Sequence, residues 1–223
     1  MTFDSFLHKI EQIKGATPAG IDAHRLMIPV ERIPYLYADD FEERNPRESA
    51  VMMLLYPKGQ KPHVLLIERA TYKGVHSGQV GFPGGKYELE DVDLEHTALR
   101  ETQEEVGIVD RDIQIIQPYT KIYIPPSNFY VQPYLGISQK ELSFTPDDFE
   151  VANIIELPLD VLLQDQLIQE VQMKTSYASW THVPAFIYKN YTIWGATAMM
   201  LSELKETLKI ALKTPSQDAI RKF

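Results

Sequence analysis

The stretch that most constrains the fold of this chain is a glycine pair, Gly84–Gly85, followed by a helix rich in carboxylates. Residues 94–106 are predicted to form that helix, which turns about 100° per residue. Three glutamates then lie within an arc of roughly 100°, and the other side carries Leu99, Thr102 and Val106. Like charges three or four residues apart each cost about 0.2–0.5 kcal/mol. A divalent cation that offsets this repulsion would therefore stabilise the helix most if it lay among the carboxylates of Glu101, Glu104 and Glu105.

The size and charge of the chain limit its class of partner. With 223 residues it is long enough to bury a sizeable core within one domain. Its formal net charge of -9 argues against nucleic acid as a partner, because a general nucleic-acid binder needs a basic surface. A phosphorylated small molecule is compatible with that charge, since a bound metal ion reverses the local sign.

The absence of cysteine and of long apolar runs limits the chemistry and the cellular location of the protein. The chain contains no cysteine, which excludes disulfides, thiol catalysis and thiolate metal sites. A reducing cytoplasm is compatible with this, and we expect the protein there. The first ten residues lack the apolar core of a signal peptide. No apolar run approaches the roughly 18 residues that cross a bilayer, so no membrane partner is expected.

The N-terminal region is predicted to differ in character from the rest of the chain. Apolar residues at helical spacing predict a short helix that ends near Gly15. Prolines between residues 15 and 48 predict an extended wrap over the core. We expect residues 1–48 to belong to the same domain as residues 49–212, followed by a tail over residues 213–223. The wrap packs either on its own core or on a partner subunit, so the sequence leaves a homodimer open.

Apolar patterning predicts strands before and after the acidic helix, and a second amphipathic helix over residues 195–212. The acidic stretch 144–150 is predicted to be a loop, and residues 159–163 one or two helical turns. The simplest arrangement is an α/β (α+β) fold, in which a mixed β-sheet is sandwiched between α-helices. The predicted strands cover residues 50–56, 64–68, 79–82, 113–124, 130–137, 170–175 and 185–188.

Residues 85–108 resemble the Nudix box. In that motif a glycine and a more distant acidic residue precede the pattern Arg-Glu-apolar-any-Glu-Glu-any-Gly-apolar. Thr102 replaces the usual aliphatic residue, and its methyl group can still pack. Asp91 takes the acidic position, and the eight residues between it and Arg100 are one more than the family pattern has. The second half reads Arg100-Glu101-Thr102-Gln103-Glu104-Glu105-Val106-Gly107-Ile108.

The longer spacing between Asp91 and Arg100 resembles that of the branch of the family that includes coenzyme A diphosphatases. Much of a second signature of that branch lies upstream of the box. Ile67 stands where threonine is usual, and Gly74 stands where an arginine able to pair with a substrate phosphate is usual. The later segment 193–198 also resembles the family, so the resemblance covers residues 50–208. The upstream signature is Leu65-Leu66-Ile67-Glu68-Arg69-Ala70, then Gly78, then Phe82-Pro83-Gly84-Gly85.

The resemblance implies a Nudix fold, Mg²⁺ or Mn²⁺ as the cofactor, and a set of residues that hold it. Glu101 and Glu105 are the implied principal ligands, and Glu104 shares their ion or holds a second one. The carbonyl of Gly84 is a further implied ligand, and Mg²⁺ prefers such hard oxygen donors. Arg100 is implied to pair with a box glutamate and orient it, the alternative being an ordinary surface ion pair.

The sequence leaves the general base open. A base must lie within hydrogen-bond reach of the attacking water, and Glu104 and Glu150 are the candidates. Glu150 belongs to the acidic loop, where related enzymes often place a distant catalytic glutamate. Asp147 and Asp148 compete with Glu150 for that role.

The substrate is expected to meet Arg69, Phe82 and Gly85, although Arg69 alternatively only completes an ion pair at a strand end. Four aromatic residues are able to stack on an adenine, but we favour core packing for each. The scattered histidines lack metal-ligand spacing, and only His76, inside the upstream signature, warrants a test. The aromatic residues are Tyr123, Phe129, Tyr130 and Trp194, and three of the other five histidines are His63, His96 and His182.

Together these features predict a metal-dependent hydrolase of a small-molecule diphosphate. The predicted substrate is coenzyme A or an acyl-coenzyme A, cleaved to 3′,5′-ADP and phosphopantetheine or its acyl form. The alternative enzyme acts on another nucleoside diphosphate-X, such as ADP-ribose, a dinucleotide or a nucleotide sugar. A catalytically silent nucleotide-binding module is the rival from another class, and such a module is expected to lose box carboxylates that this chain retains.

Overall fold

The computed structural model describes residues 1–36, 41–71, 78–174 and 180–213. Within these ranges the strands form one eight-stranded mixed sheet and one three-stranded antiparallel sheet. Helices cover both faces of the larger sheet, so the predicted fold class is confirmed. Among the described helices, none is long and apolar enough to cross a membrane.

Two strands in the middle of the larger sheet run parallel, and its other pairs are antiparallel. The order is β3-β2-β1-β7-β5, with β4 beside β1, β6 beside β7 and β8 beside β2. The smaller sheet has the order β11-β10-β9. The strands are β1 Arg47–Lys58, β2 Lys61–Arg69, β3 Val80–Gly81, β4 Gly84–Lys86, β5 Gln114–Pro118, β6 Ile122–Ile124, β7 Phe129–Ile137, β8 Val151–Pro158, β9 Ile168–Met173, β10 Thr181–Tyr188 and β11 Tyr191–Ile193.

The helices divide between the two faces of β1. Met52 and Leu54 point to one face and pack in a core cluster with residues of α5, whereas Met53 and Leu55 join the core cluster that contains α7. Burial on both faces explains why β1 is a nearly continuous apolar run. The helices are α1 Phe3–Leu7, α2 Ile10–Lys14, α3 Gly20–Arg25, α4 Ile33–Leu36, α5 Leu94–Val106, α6 Leu159–Leu162 and α7 Gly195–Lys213.

Helix α5 begins and ends at recognisable caps, and its predicted bounds are confirmed. The side chain of Asp93 accepts a hydrogen bond from the backbone of His96 at 2.8 Å, the usual N-cap arrangement. Gly107 ends the helix with φ of 78°, a conformation that glycine adopts at little cost. The second long helix, α7, also matches the prediction to within one residue.

The predicted extended wrap over residues 15–48 is wrong. That region contains α3, α4 and two 3₁₀ turns, Val30–Arg32 and Phe41–Arg44. Two of the prolines that suggested extended chain lie at helix starts, with Pro29 preceding the first 3₁₀ turn and Pro34 in the first turn of α4. Proline suits that position because the first N–H groups of a helix have no partner within it.

The N-terminal helices pack on the core of their own chain. Glu203 of α7 is fully buried and contacts His24 of α3 at 2.9 Å. The same carboxylate accepts a hydrogen bond from the backbone of Gly20 at 3.0 Å and from the hydroxyl of Thr120 at 2.6 Å. This shared acceptor joins α3 and the β5–β6 connection to α7. The division of the chain at residues 48 and 213 stays a prediction.

Other differences from the predicted elements arise where the chain bends. The single N-terminal helix is two, α1 and α2, and the single strand over residues 113–124 is two, β5 and β6. Both halves of that strand pair with β7, and the β5 register shifts between Ile115 and Gln117. Strands β4, β8 and β11 were not predicted. The strand predicted over residues 170–175 is β9, two residues earlier, and Thr175 and residues 214–223 lie outside the described residues.

Candidate active site

The glycine pair lies directly against α5. Gly84 donates its N–H to Glu105 Oε2 at 2.8 Å. A Cβ on Gly85 would lie 2.3 Å from Glu101 Oε1, and a Cβ on Gly84 would lie 2.3 Å from the carbonyl oxygen of Ala50. A side chain at Gly84 would collide with backbone, and one at Gly85 would displace the carboxylate of Glu101, which explains the pair at this bend.

Three carboxylates converge beside this bend. One carboxylate oxygen from each of Glu101, Glu105 and Glu150 lies within 4.8 Å of the other two. Glu101 and Glu105 are one helical turn apart on α5, while Glu150 ends the loop that precedes β8. The carbonyl of Glu150 accepts a hydrogen bond from Ala70 at 2.8 Å, which fixes that loop beside the end of β2. The structure thus brings together two predicted metal ligands and one candidate base.

Burial disfavours the ionised form of two of these carboxylates. Glu105 is only 1% exposed, and burial raises the pKa of its carboxyl to about 7 against the opposing effect of Arg69. Burial also raises the pKa of Glu101. A divalent cation favours the ionised form of such carboxylates and competes with protons for them. Oxygen donors alone make up the group, so these residues fit Mg²⁺ or Mn²⁺.

Arg69 forms the ion pair that was one of its two predicted roles. Its Nη1 lies 3.0 Å from Glu105 Oε1, and its Nη2 donates to the carbonyl of Gly84 at 3.0 Å. Arg69 therefore connects two of the predicted metal ligands. The phosphate-binding role of Arg69 and the ligand role of the Gly84 carbonyl stay predictions.

Arg100 is held by a buried aspartate and contacts the box glutamates. Its Nε and Nη2 donate to the two oxygens of Asp91 at 2.9 and 3.0 Å, a bidentate geometry that fixes the guanidinium. Its Nη1 then donates to Glu101 at 3.0 Å and to Glu104 at 2.9 Å. This arrangement supports the orienting role of Arg100 and is more than an exposed surface pair.

Asp91 is the residue whose role the sequence reasoning missed. It is 4% exposed, and the adjacent Arg100 holds the pKa of its carboxyl well below the usual range. It also accepts hydrogen bonds from the hydroxyl of Thr97 at 2.9 Å and from the backbone of Glu88 at 3.0 Å. The available signal was its acidic position in the motif, from which we inferred no function.

Replacing Asp91 with asparagine is expected to lower the free energy of unfolding by about 3 kcal/mol, because the change breaks a buried charge pair. Since the pKa of Asp91 is lowered in the fold, its stabilisation is present above the unfolded pKa of about 4 and is lost as pH falls through the folded value. Urea unfolding of wild type and variant tests this.

The difference between the two proteins should stay constant from about pH 6 to 8 and shrink below about pH 4. Asp148→Asn, at an exposed position, is the matched control and should change stability little. A difference that disappears as pH rises towards 8 would contradict the role given to Asp91.

The other acidic candidates do not belong to the group of three carboxylates. Glu104 is exposed and bonded to Arg100, outside the Glu101–Glu105–Glu150 group, so its ligand and base roles stay predictions. Asp147 shapes the loop by accepting hydrogen bonds from Phe149 at 2.7 Å and from the backbone of Glu150 at 3.1 Å. Asp148 is exposed.

The histidines of the described residues do not belong to this carboxylate group. His96 contacts Asp91 at 3.0 Å, and the ring of His63 lies 3.0 Å from the carbonyl of Lys61. His182 is exposed on β10. His76 and Gly74 lie outside the described residues.

A cavity of about 300 Å³ adjoins the carboxylates, because Gly84, Gly85 and Arg69 belong to its wall. That volume is at the lower end for small-molecule sites. Phe82 also lines the cavity although it is only 1% exposed and packs in the main core. All three predicted substrate-binding residues therefore meet at one cavity.

Two of the four aromatic candidates also line this cavity, namely Phe129 and Trp194. The guanidinium of Arg47 covers the Phe129 ring at 4.0 Å. Tyr123 is buried, with its hydroxyl bonded to Asn128 at 2.9 Å, as core packing predicts. Tyr130 lies 4.7 Å from the ammonium group of Lys121.

Comparison with known proteins agrees with the motif. A sequence model of the NUDIX domain matches residues 45–178. Two relatives, each named "Uncharacterized Nudix hydrolase NudL", come from Salmonella paratyphi B and Salmonella newport. They are 34% identical to the chain over 179 residues, which cover 77% of this chain and 87% of each relative.

Solved structures with a similar chain path include two Nudix proteins. RenU, a Nudix hydrolase from M. smegmatis, is 14% identical with a TM-score of 0.49, and the match covers 76% of this chain and 89% of that one. The NUDIX domain of Shewanella oneidensis NrtR, complexed with ADP ribose, is 17% identical with a TM-score of 0.49. That match covers 82% of this chain and 99% of the other.

Proposed function

The chain belongs to the Nudix family of hydrolases, and on this premise we propose that it hydrolyses the diphosphate linkage of coenzyme A or an acyl-coenzyme A. The family acts on small molecules that contain a nucleoside diphosphate. One observation carries the catalytic part of the proposal, namely the group of Glu101, Glu105 and Glu150 beside a cavity. The substrate rests on the upstream signature, residues 65–85, whose Arg69, Phe82 and Gly85 line that cavity.

Glu101 and Glu105 are the residues that would hold Mg²⁺ or Mn²⁺, with Glu104 and the Gly84 carbonyl as further candidates. A bound divalent cation neutralises diphosphate charge and lowers the pKa of water. The chain supplies the positioning: Asp91 fixes Arg100, and Arg100 in turn restrains Glu101. Arg69 restrains Glu105 in the same way.

Glu150 is the general base that we propose. It is exposed and lies with the carboxylates of Glu101 and Glu105, whereas Glu104 is bonded to Arg100. In the proposed reaction the oxygen of a water bonds to one phosphorus, the bridging P–O bond breaks, and Glu150 accepts the water proton. The products are 3′,5′-ADP and phosphopantetheine or its acyl form.

A substrate panel assayed with Mg²⁺ and with Mn²⁺ tests this proposal. We expect kcat/KM for coenzyme A to exceed that for ADP-ribose, a dinucleotide and a nucleotide sugar by about tenfold or more. Faster cleavage of any of these three would identify that compound as the substrate instead of coenzyme A. The proposed hydrolase activity would still hold. Binding of nucleotides without turnover of any of them would favour the silent module. A cytoplasmic location and a homodimer stay proposals from the sequence.

A further inference from the structure

A buried cation lies on the cavity wall, away from the carboxylates. Arg32 is 6% exposed and lines the cavity together with Phe129 and Trp194. Its Nη2 donates to the carbonyl of Tyr123 on β6 at 2.8 Å. Arg32 belongs to the N-terminal segment. It therefore lies outside the part of the chain, residues 45–178, that the NUDIX model covers.

The strand pairing separates Arg32 from the catalytic bend. Gly84 on β4 pairs with Val51 on β1, β1 pairs with β7, and Phe129 on β7 pairs with Ile124 on β6. Neighbouring strands lie about 4.8 Å apart, so the three steps from β4 to β6 span about 14 Å. A single diphosphate group at the bend does not reach across that span.

The N-terminal segment that carries Arg32 is anchored to the core. The buried Glu203 holds His24 and the backbone of Gly20, and the bond to Tyr123 fixes the guanidinium itself. A guanidinium always carries its charge, and its planar fork matches the oxygens of a phosphate. Its position on the wall of a cavity that Phe129 and Trp194 also line suits an anion on a bound ligand.

We propose that Arg32 binds a phosphate monoester of the substrate that is separate from the diphosphate. This inference rests on the proposed function, because coenzyme A carries such a group at the 3′ position of its ribose. Dephospho-coenzyme A lacks only that group and is the matched control substrate. Arg32 thus selects between the two, while the carboxylates at the bend act on the linkage that both contain.

Steady-state kinetics on both substrates test the proposal. The wild type should show a kcat/KM for coenzyme A about 10- to 100-fold above that for dephospho-coenzyme A, the range expected for a charge-assisted contact. Arg32→Met should remove most of this preference by lowering kcat/KM for coenzyme A alone, and Arg32→Lys should restore part of it. Arg25→Met, at an exposed position on α3, should leave both values unchanged.

If Arg32 only fastens the N-terminal segment to β6, the methionine variant will lose kcat/KM equally on both substrates or will misfold. Either result means that the proposal is wrong. A binding measurement separates this outcome from failure of the proposed function. Wild type should bind 3′,5′-ADP about tenfold or more tightly than 5′-AMP, and Arg32→Met and Arg32→Lys should reduce that ratio. Equal affinities in the wild type would overturn the inference even if coenzyme A is hydrolysed.

Discussion

Replacing Glu105 with glutamine is expected to lower kcat by about 10³-fold or more while the protein stays folded. Loss of a group that merely supports a metal ligand costs about 10- to 100-fold, and Glu105 is itself a proposed ligand. Glutamine has nearly the same shape and keeps an oxygen for the Gly84 N–H, now 2.8 Å from Glu105. Arg69 retains its bond to the Gly84 carbonyl.

The measurement is kcat on the best substrate of the panel, together with circular dichroism and the thermal midpoint of unfolding. Glu95→Gln is the matched control, because Glu95 lies on the same helix outside the carboxylate group. The control should keep its turnover within about threefold of wild type. Unchanged turnover in Glu105→Gln would count against the ligand assignment.

A methyl group on Gly85 should reduce kcat/KM by about 100-fold or more. The added Cβ would lie 2.3 Å from Glu101 Oε1, so the carboxylate has to move, and a displacement near 1 Å is enough for about a 10²-fold loss. The atom that moves is the end of a side chain, and Gly85 does not require positive φ. The fold should therefore survive Gly85→Ala.

Gly81→Ala and Gly84→Ala are the comparison variants for Gly85→Ala. A Cβ on Gly81 would lie 3.6 Å from Arg69, an ordinary contact, so the loss of kcat/KM should be far smaller than for Gly85→Ala. A Cβ on Gly84 would meet the backbone oxygen of Ala50 at 2.3 Å, so that variant should lose stability. Turnover near the wild-type value in Gly85→Ala would show that Glu101 need not hold its position.

The acidic helix was predictable because its chemistry is local. Spacing along residues 94–106 placed the glutamates together, and Gly107 marked the end. Burial of Glu105 was not predictable, because helical periodicity identifies a polar face without showing what covers it. Here the cover is the glycine bend and Arg69, and only tertiary structure brings them to Glu105.

The partner for the helix carboxylates required long-range information. Glu150 lies 45 positions beyond Glu105 in the sequence, and it competed there with Asp147 and Asp148 in one acidic loop. Backbone hydrogen bonds from Asp147 to the carbonyl of Glu105 and from Thr145 to the carbonyl of Val106, both 3.0 Å, set that loop beside the helix. No residue pattern encodes these contacts.

The N-terminal region shows the opposite kind of failure. Its prolines led to a prediction of extended chain, although proline is also well suited to the first turn of a helix. The buried Glu203 lies on a helix that was predicted correctly, but its contacts with His24 and Gly20 depend on how the N-terminal segment folds back. The placement of Arg32 depends on the same packing and could not be predicted.

Titration calorimetry with Mn²⁺, in the presence of a non-hydrolysable diphosphate, tests the central claim most directly. The wild type should take up Mn²⁺ saturably at pH 8, and more weakly at pH 6, because burial raises the pKa of Glu105 to about 7 and protons then compete for its carboxylate. Glu105→Gln should bind at least about tenfold more weakly. No uptake by the wild type, or equal uptake by the variant, would contradict the claim that these carboxylates hold the catalytic cation.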